Sequence, residues 1–98
     1  MSAQTASAIR LHGDDHVATA LRALKAGETV RLANAGDIAV SEDIGICHKF
    51  AVVAVATGER VKKYGEVIGV ASADIAPGEH VHVHNLESLR AQNLASQA

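Results

Sequence analysis

Apolar residues recur along this chain in short runs, and most runs read as strands. "TVRLA" (29–33), "DIAVS" (37–41), "KFAVV" (49–53), "RVKKY" (60–64) and "VIGVAS" (67–72) concentrate β-branched and aromatic residues between turn-forming neighbours. "HVHVH" (80–84) alternates strictly. A strand there puts Val81 and Val83 on one face and His80, His82 and His84 on the other. His80 and His84 are then roughly 13 Å apart, so one ion is expected to reach neighbours such as His82 and His84 but not all three. One stretch has a different period. Val17, Leu21 and Leu24 recur at helical spacing behind Asp14 and Asp15, either of which can cap, and this predicts a helix over about residues 15–25.

A repeat underlies the strand pattern. "ALRALKAGETV" (20–30), "AVVAVATGERV" (51–61) and "ASADIAPGEHV" (71–81) fit A-x-x-x-[LVI]-x-x-G-E-x-V. Each Gly-Glu pair predicts a tight turn in which glycine supplies positive φ, and a strand follows. Pro77 strengthens the third turn. Leu24, Val55 and Ile75, three residues before each glycine, are expected to plug the core. The unequal spacing of the copies argues for a supersecondary unit and against a solenoid. Many short strands with glycine turns predict a small, mainly β structure.

Composition narrows the partners. Ninety-eight residues suit one domain, and Phe50 and Tyr64 are its only Phe, Tyr or Trp residues, so the core must be aliphatic. The formal charge of −2, with no basic stripe, argues against nucleic acid. No apolar run is long enough to span a membrane, and the first residues lack the order of a secretory signal. Cys47 is the single cysteine, and a cytoplasmic location is expected. Residues 9–89 are expected to form the domain, with 1–8 and 90–98 as flexible tails.

Candidate chemistry falls in four clusters: His12, Asp15 and His16; His48 and Lys49; Lys63 and Tyr64; and His80 to Asn85. For Asp14 or Asp15 alone, capping is the plainer role. A lone strand histidine is usually solvated, but His-x-His presents two imidazoles to one side and forms a common half of a metal site. Cys47 beside His48 is read as a small packing residue, since strand neighbours point apart and an activated thiol needs a base in space. A deep pocket of a few hundred Å3 is not expected in so small a β domain.

In order and spacing, "HGDDHVATAL" (12–21), "CHKFA" (47–51) and "GERVKKYGEVIGVASADIAPGEHVHVHN" (58–85) resemble the N-terminal module of the altronate and galactarate dehydratase family. That pattern is approximately "HPxDNVAVAL", "GHKFA" and "GExVxKYGxxIGxAxxDIxxGEHVHxHN". The second half also resembles a SAF domain, the module named after sialic acid synthase and antifreeze proteins. The chain departs from the pattern at Gly13, His16, Cys47 and Lys62, none of which removes a matched histidine.

The resemblance implies a SAF-type β-clip of short strands, here with the one short N-terminal helix. It implies a sugar-acid dehydratase using a divalent metal, Fe2+ or Mn2+, held by this chain or by a large subunit. His48, His82 and His84 become candidate catalytic groups. Lys49, Lys63, Tyr64 and Asn85 become candidate substrate contacts, and His82, His84 and His12 candidate metal ligands. The chain is expected to act as a small subunit beside a large catalytic one, and a homo-oligomer is compatible with this. The alternatives are the similar small subunit of sulfolactate sulfo-lyase, which expels sulfite instead of water, and a carbohydrate-binding or lid module without catalysis of its own.

Overall fold

The computed structural model describes residues 7–32 and 36–88. Nine short strands and no helix occur among them. Strands β1 (Ala8–Ile9), β2 (Val17–Ala20), β5 (Lys49–Ala51) and β8 (His80–Val81) form one antiparallel sheet in the order β1-β2-β5-β8. β3 (Thr29–Leu32) pairs with β4 (Gly36–Ala39), and β7 (Glu66–Ala71) lies between β6 (Arg60–Lys63) and β9 (Leu86–Ser88). The expectation of a mainly β fold of short strands therefore holds. Residues 1–6 and 90–98 of the expected tails lie outside the described residues, but Ala8 does not behave as a tail: it is buried and pairs with Ala20.

The expected helix over 15–25 is absent, and residues 17–20 are strand β2. Burial gives the reason. Val17, Ala18 and Ala20 are all buried, because the first sheet has a core on each face. Ala18 and Phe50, register partners, pack into one core; Val17 and Ala51, also partners, pack into the other. Leu21, which the helical period would bury, is exposed. The spacing of Val17, Leu21 and Leu24 imitated a helical stripe by accident of where the strand ends.

The repeat is more complete in space than in sequence. Residues 40–50, "VSEDIGICHKF", adopt the same turn as the other three units, with Cys47 at the glycine step and His48 at the glutamate step. The step is left-handed in all four: φ is 88° at Gly27, 70° at Cys47, 87° at Gly58 and 91° at Gly78. The units pair reciprocally. Leu24 and Ile44 exchange two backbone hydrogen bonds of 2.8 and 2.9 Å, and Val55 and Ile75 exchange two of 2.8 Å. Gly27 and Cys47 donate to Val40 and Ala20; Gly58 and Gly78 donate to Ala71 and Ala51. Leu24, Ile44, Val55 and Ile75 are each at most 2% exposed, as expected for core plugs. Three units also cap themselves: the carboxylates of Glu28, Glu59 and Glu79 accept from the backbone N–H of Lys25, Ala56 and Ala76.

These steps differ in tolerance. A Cβ on Gly78 would lie 2.1 Å from the Ala39 carbonyl oxygen, whereas one on Gly27 would meet nothing within 4 Å. Gly27→Ala is expected to cost about 1–2 kcal/mol, the left-handed penalty alone. Gly78→Ala is expected to cost clearly more, because backbone must also move. Urea unfolding of both variants checks this, and equal losses would show that the close approach at Ala39 carries no energetic weight.

Candidate functional site

β5 and β8 bring the histidines together. Their register pairs Phe50 with His80 and Lys49 with Val81. His48 and His82 are the next residues out along this antiparallel ladder, so they sit at the same end of it. The chain does not stay extended through 84, as the alternation predicted. The strand ends at Val81 because the Asn85 side chain closes a turn, donating to the His80 carbonyl (2.8 Å) and accepting from the His82 N–H (3.0 Å). The His82 carbonyl then accepts from Asn85 and Leu86. Val83, expected to share a face with buried Val81, is 82% exposed.

This turn corrects the spacing along the histidine run. The His80 and His84 rings are 5.6 Å apart between centroids, not spread along a strand. His80 is the hub, with His48 at 5.0 Å and His82 at 5.4 Å, the last stacked at 11°. His48 Nδ1 and His80 Nε2 are 2.9 Å apart and share a hydrogen bond. Ligand atoms of His48, His80 and His82 all lie within 4.8 Å of one another. Among the described residues this is the set that could hold a metal, and neither His12 nor His84 belongs to it. Nitrogens at about 2 Å from one ion lie roughly 3–4 Å apart, so three imidazoles gathered this closely are a donor set suited to a divalent ion. His80, which the sequence placed in the candidate cluster without a role of its own, is half-buried and central. Burial first, then neighbouring His48, holds its imidazole below the ordinary value; Glu42 opposes this, while His82 and His84 add to the lowering. Glu42 also accepts from the His80 N–H at 3.1 Å, a contact with no sequence signal.

Lys49, Lys63 and His82 line a groove of about 570 Å3, together with Ile68, Ser72, Val83, Leu86, Glu87 and Ser88. Burial, followed by the nearby Lys63 charge, pushes the Lys49 ammonium below its ordinary value, and Tyr64 acts in the opposite sense. The Lys63 ammonium lies 4.7 Å from the centre of the Tyr64 ring. Asn85 is not a groove-lining residue: it is 4% exposed and its amide is occupied by backbone. Cys47 is exposed, so it is not the packing residue expected.

Asp15 is neither a helix cap nor free. It is 1% exposed, and its carboxylate accepts N–H groups from Tyr64 (2.8 Å), Gly65 (2.7 Å) and His12 (3.3 Å). Tyr64 and Gly65 have φ of 56° and 77°, so this carboxylate braces a left-handed turn joining β6 to β7. The turn follows Lys63 directly, and the His12 ring lies against it: a Cβ on Gly65 would be 2.9 Å from His12 Cδ2. Asp15 thus sets the position of Lys63 and Tyr64 beside Lys49.

Burial disfavours the Asp15 charge, but the three backbone donors and nearby His12 outweigh it and hold the carboxyl below its usual value. A lowered folded value stabilises the fold above the unfolded value of about 3.9, and that stability is lost as pH falls through the folded one. Asp15→Asn is expected to flatten the acid side of the stability profile and to cost about 1–3 kcal/mol at pH 7. Thermal unfolding between pH 2 and 7 checks this, and parallel profiles for the two proteins would contradict it.

Comparison with known proteins places this architecture. Residues 6–89 match the family model described as the altronate/galactarate dehydratase SAF domain. The chain is 46% identical over 77 residues to altronate dehydratase of Escherichia coli (strain K12), covering 79% of this chain and 15% of that one. It is 42% identical over 82 residues to altronate dehydratase of Bacillus subtilis (strain 168), covering 84% of this chain and 16% of that one. Against (2R)-sulfolactate sulfo-lyase subunit alpha of Chromohalobacter salexigens it is 45% identical over 51 residues, covering 52% of this chain and 54% of that one. The chain thus spans less than a fifth of the altronate dehydratases it matches. The matched region takes in all nine strands and every histidine of the cluster, and the chain belongs to the altronate/galactarate dehydratase SAF domain family.

Proposed function

We propose that this chain is the SAF subunit or module of a sugar-acid dehydratase and acts with a larger catalytic partner. The observation that carries the reading is the convergence of Lys49, Lys63 and His82 on one groove, with His48 and His80 against His82. Converting an aldonate or aldarate to a 2-keto-3-deoxy acid removes the proton α to a carboxylate and expels the β-hydroxyl. Lys49 and Lys63 hold the substrate carboxylate and favour the negative charge that builds next to it. Tyr64 supports the Lys63 ammonium. Whichever of the His48, His82 and His84 imidazoles holds no metal is able to take the α proton or to protonate the departing hydroxyl. The family's divalent metal, Fe2+ or Mn2+, would supply Lewis-acid stabilisation of that charge, and His48, His80 and His82 are the groups on this chain that would hold it.

A larger partner accords with the small share of the altronate dehydratases that this chain spans. Similarity to sulfo-lyase alpha subunits supports a second reading, in which the same proton is removed and sulfite leaves. Among the described residues no helix is long and apolar enough to cross a membrane.

The test is turnover by the assembled enzyme on a panel of sugar acids and sulfolactate. Dehydration of an aldonate or aldarate is the expected result, and desulfonation alone would select the second reading. Lys49→Met and Lys63→Met are each expected to lower kcat/KM by roughly 10- to 100-fold with unchanged unfolding. Retention of full kcat/KM in both variants would contradict the assignment of the groove, and leave a lid whose partner does the chemistry.

A further inference from the structure

We infer that His16 is a positioning residue: its imidazole serves as a strand partner for the free edge of β6 and so holds Lys63 at the substrate carboxylate. The inference deepens the proposed function, and rests on it for the part that Lys63 plays there.

The first observation is where the hydrogen bonds of residues 15 and 16 go. The His16 N–H donates to the Lys62 carbonyl at 3.0 Å. In a regular antiparallel pair the His16 carbonyl would accept from Lys62 in return. That carbonyl accepts from Val52 at 2.8 Å instead, which ties it to the first sheet. The Lys62 N–H goes to the side chain, donating to His16 Nδ1 at 2.9 Å. An imidazole that accepts at Nδ1 carries its proton on Nε2. Nε2 lies 3.2 Å from the Glu59 carboxylate, so both ring nitrogens are engaged. The neighbouring Asp15 carboxylate accepts from Tyr64 and Gly65. Two consecutive side chains thus grip the backbone on either side of Lys63.

The second observation is the register of the β6–β7 hairpin. Val61 pairs with Gly69 but Lys62 with Val67, which leaves Ile68 as an extra residue on β7. Such a bulge disrupts the ladder locally and re-aims the side chains around it. Lys63 and Ile68 both line the groove. The slip falls at Lys62, so the imidazole secures from the far edge the place where the ladder is weakest. Lys63 needs this hold, because its charge and that of Lys49 repel each other across the groove.

Asparagine stands at this position in the family pattern, and its side-chain oxygen is borne on Cγ, the atom that bears Nδ1 in histidine. It can accept from Lys62, whereas leucine cannot.

The experiment is a double-mutant cycle in the assembled enzyme, assayed below the melting temperature of every variant with whichever sugar acid or sulfolactate the parent turns over. His16→Leu is expected to lower kcat/KM by about 10-fold, mainly through KM, and His16→Asn to stay within about twofold of the parent. In a Lys63→Met background, His16→Leu is expected to cost less than about twofold more. Amide exchange on the full chain supplies a readout without substrate. The Lys62 N–H should exchange at least about 10-fold faster in His16→Leu than in the parent or in His16→Asn. Losses that multiply between His16→Leu and Lys63→Met, an asparagine variant as poor as the leucine one, or unchanged exchange at Lys62 would each overturn the inference. Parent-like kinetics in His16→Leu beside a damaged Lys63→Met would overturn it and leave the dehydratase reading standing. Full kcat/KM in Lys63→Met would overturn both.

Discussion

The left-handed step seven residues into each unit is the constraint on which the rest depends. At Gly27, Cys47, Gly58 and Gly78 the chain reverses within two residues. The reversal aims the step's own N–H at the first residue of the paired unit, as in Gly27 to Val40 and Cys47 to Ala20. It also drops the residue three positions earlier into the interior, where Leu24 meets Ile44 and Val55 meets Ile75. Two aliphatic cores result, one on each face of the first sheet, and neither needs more than one aromatic ring. A chain with few large side chains builds a core by bringing backbones close, and Gly78 against Ala39 is the tightest of the three glycine steps.

The candidate site lies where this frame is least regular. The second unit carries His48 and Lys49 in place of self-capping chemistry, and the fourth sends His80 and His82 to meet them through β5 and β8. The β6–β7 turn is braced by Asp15 at two left-handed residues, and this brings Lys63 and Tyr64 to Lys49. Strain and forgone hydrogen bonds are thus concentrated beside the groove, in keeping with their usual place at working sites. Asp15 and Asn85, the two buried polar side chains among the described residues, both serve backbone turns that flank the groove.

Much of the frame was legible in the residues. Gly-Glu turns, the plugs Leu24, Val55 and Ile75, and the strands after them follow from local chemistry. The second unit was not legible, because Cys47 and His48 replace the two letters that define the repeat, while its plug Ile44 and its turn persist. The false helix came from counting Val17, Leu21 and Leu24 without knowing that the first sheet is covered on both faces. The histidine run was misread as continuous strand, since nothing in "HVHVHN" says that the Asn85 amide will fold back on His80 and His82. The meeting of Lys49, Lys63 and Tyr64 depends on pairings distant in sequence, so only the motif resemblance grouped them.

The central claim is that His48 departs from the repeat for function and against folding. The double variant Cys47→Gly, His48→Glu restores the repeat at both positions and tests this directly. Its unfolding free energy should equal or exceed that of the parent, by up to about 1 kcal/mol from relief of the left-handed cysteine. Dehydration by the assembled enzyme should fall by at least about 100-fold, in line with loss of one acid–base group. A variant that keeps its turnover, or one that unfolds more easily than the parent, would contradict the account.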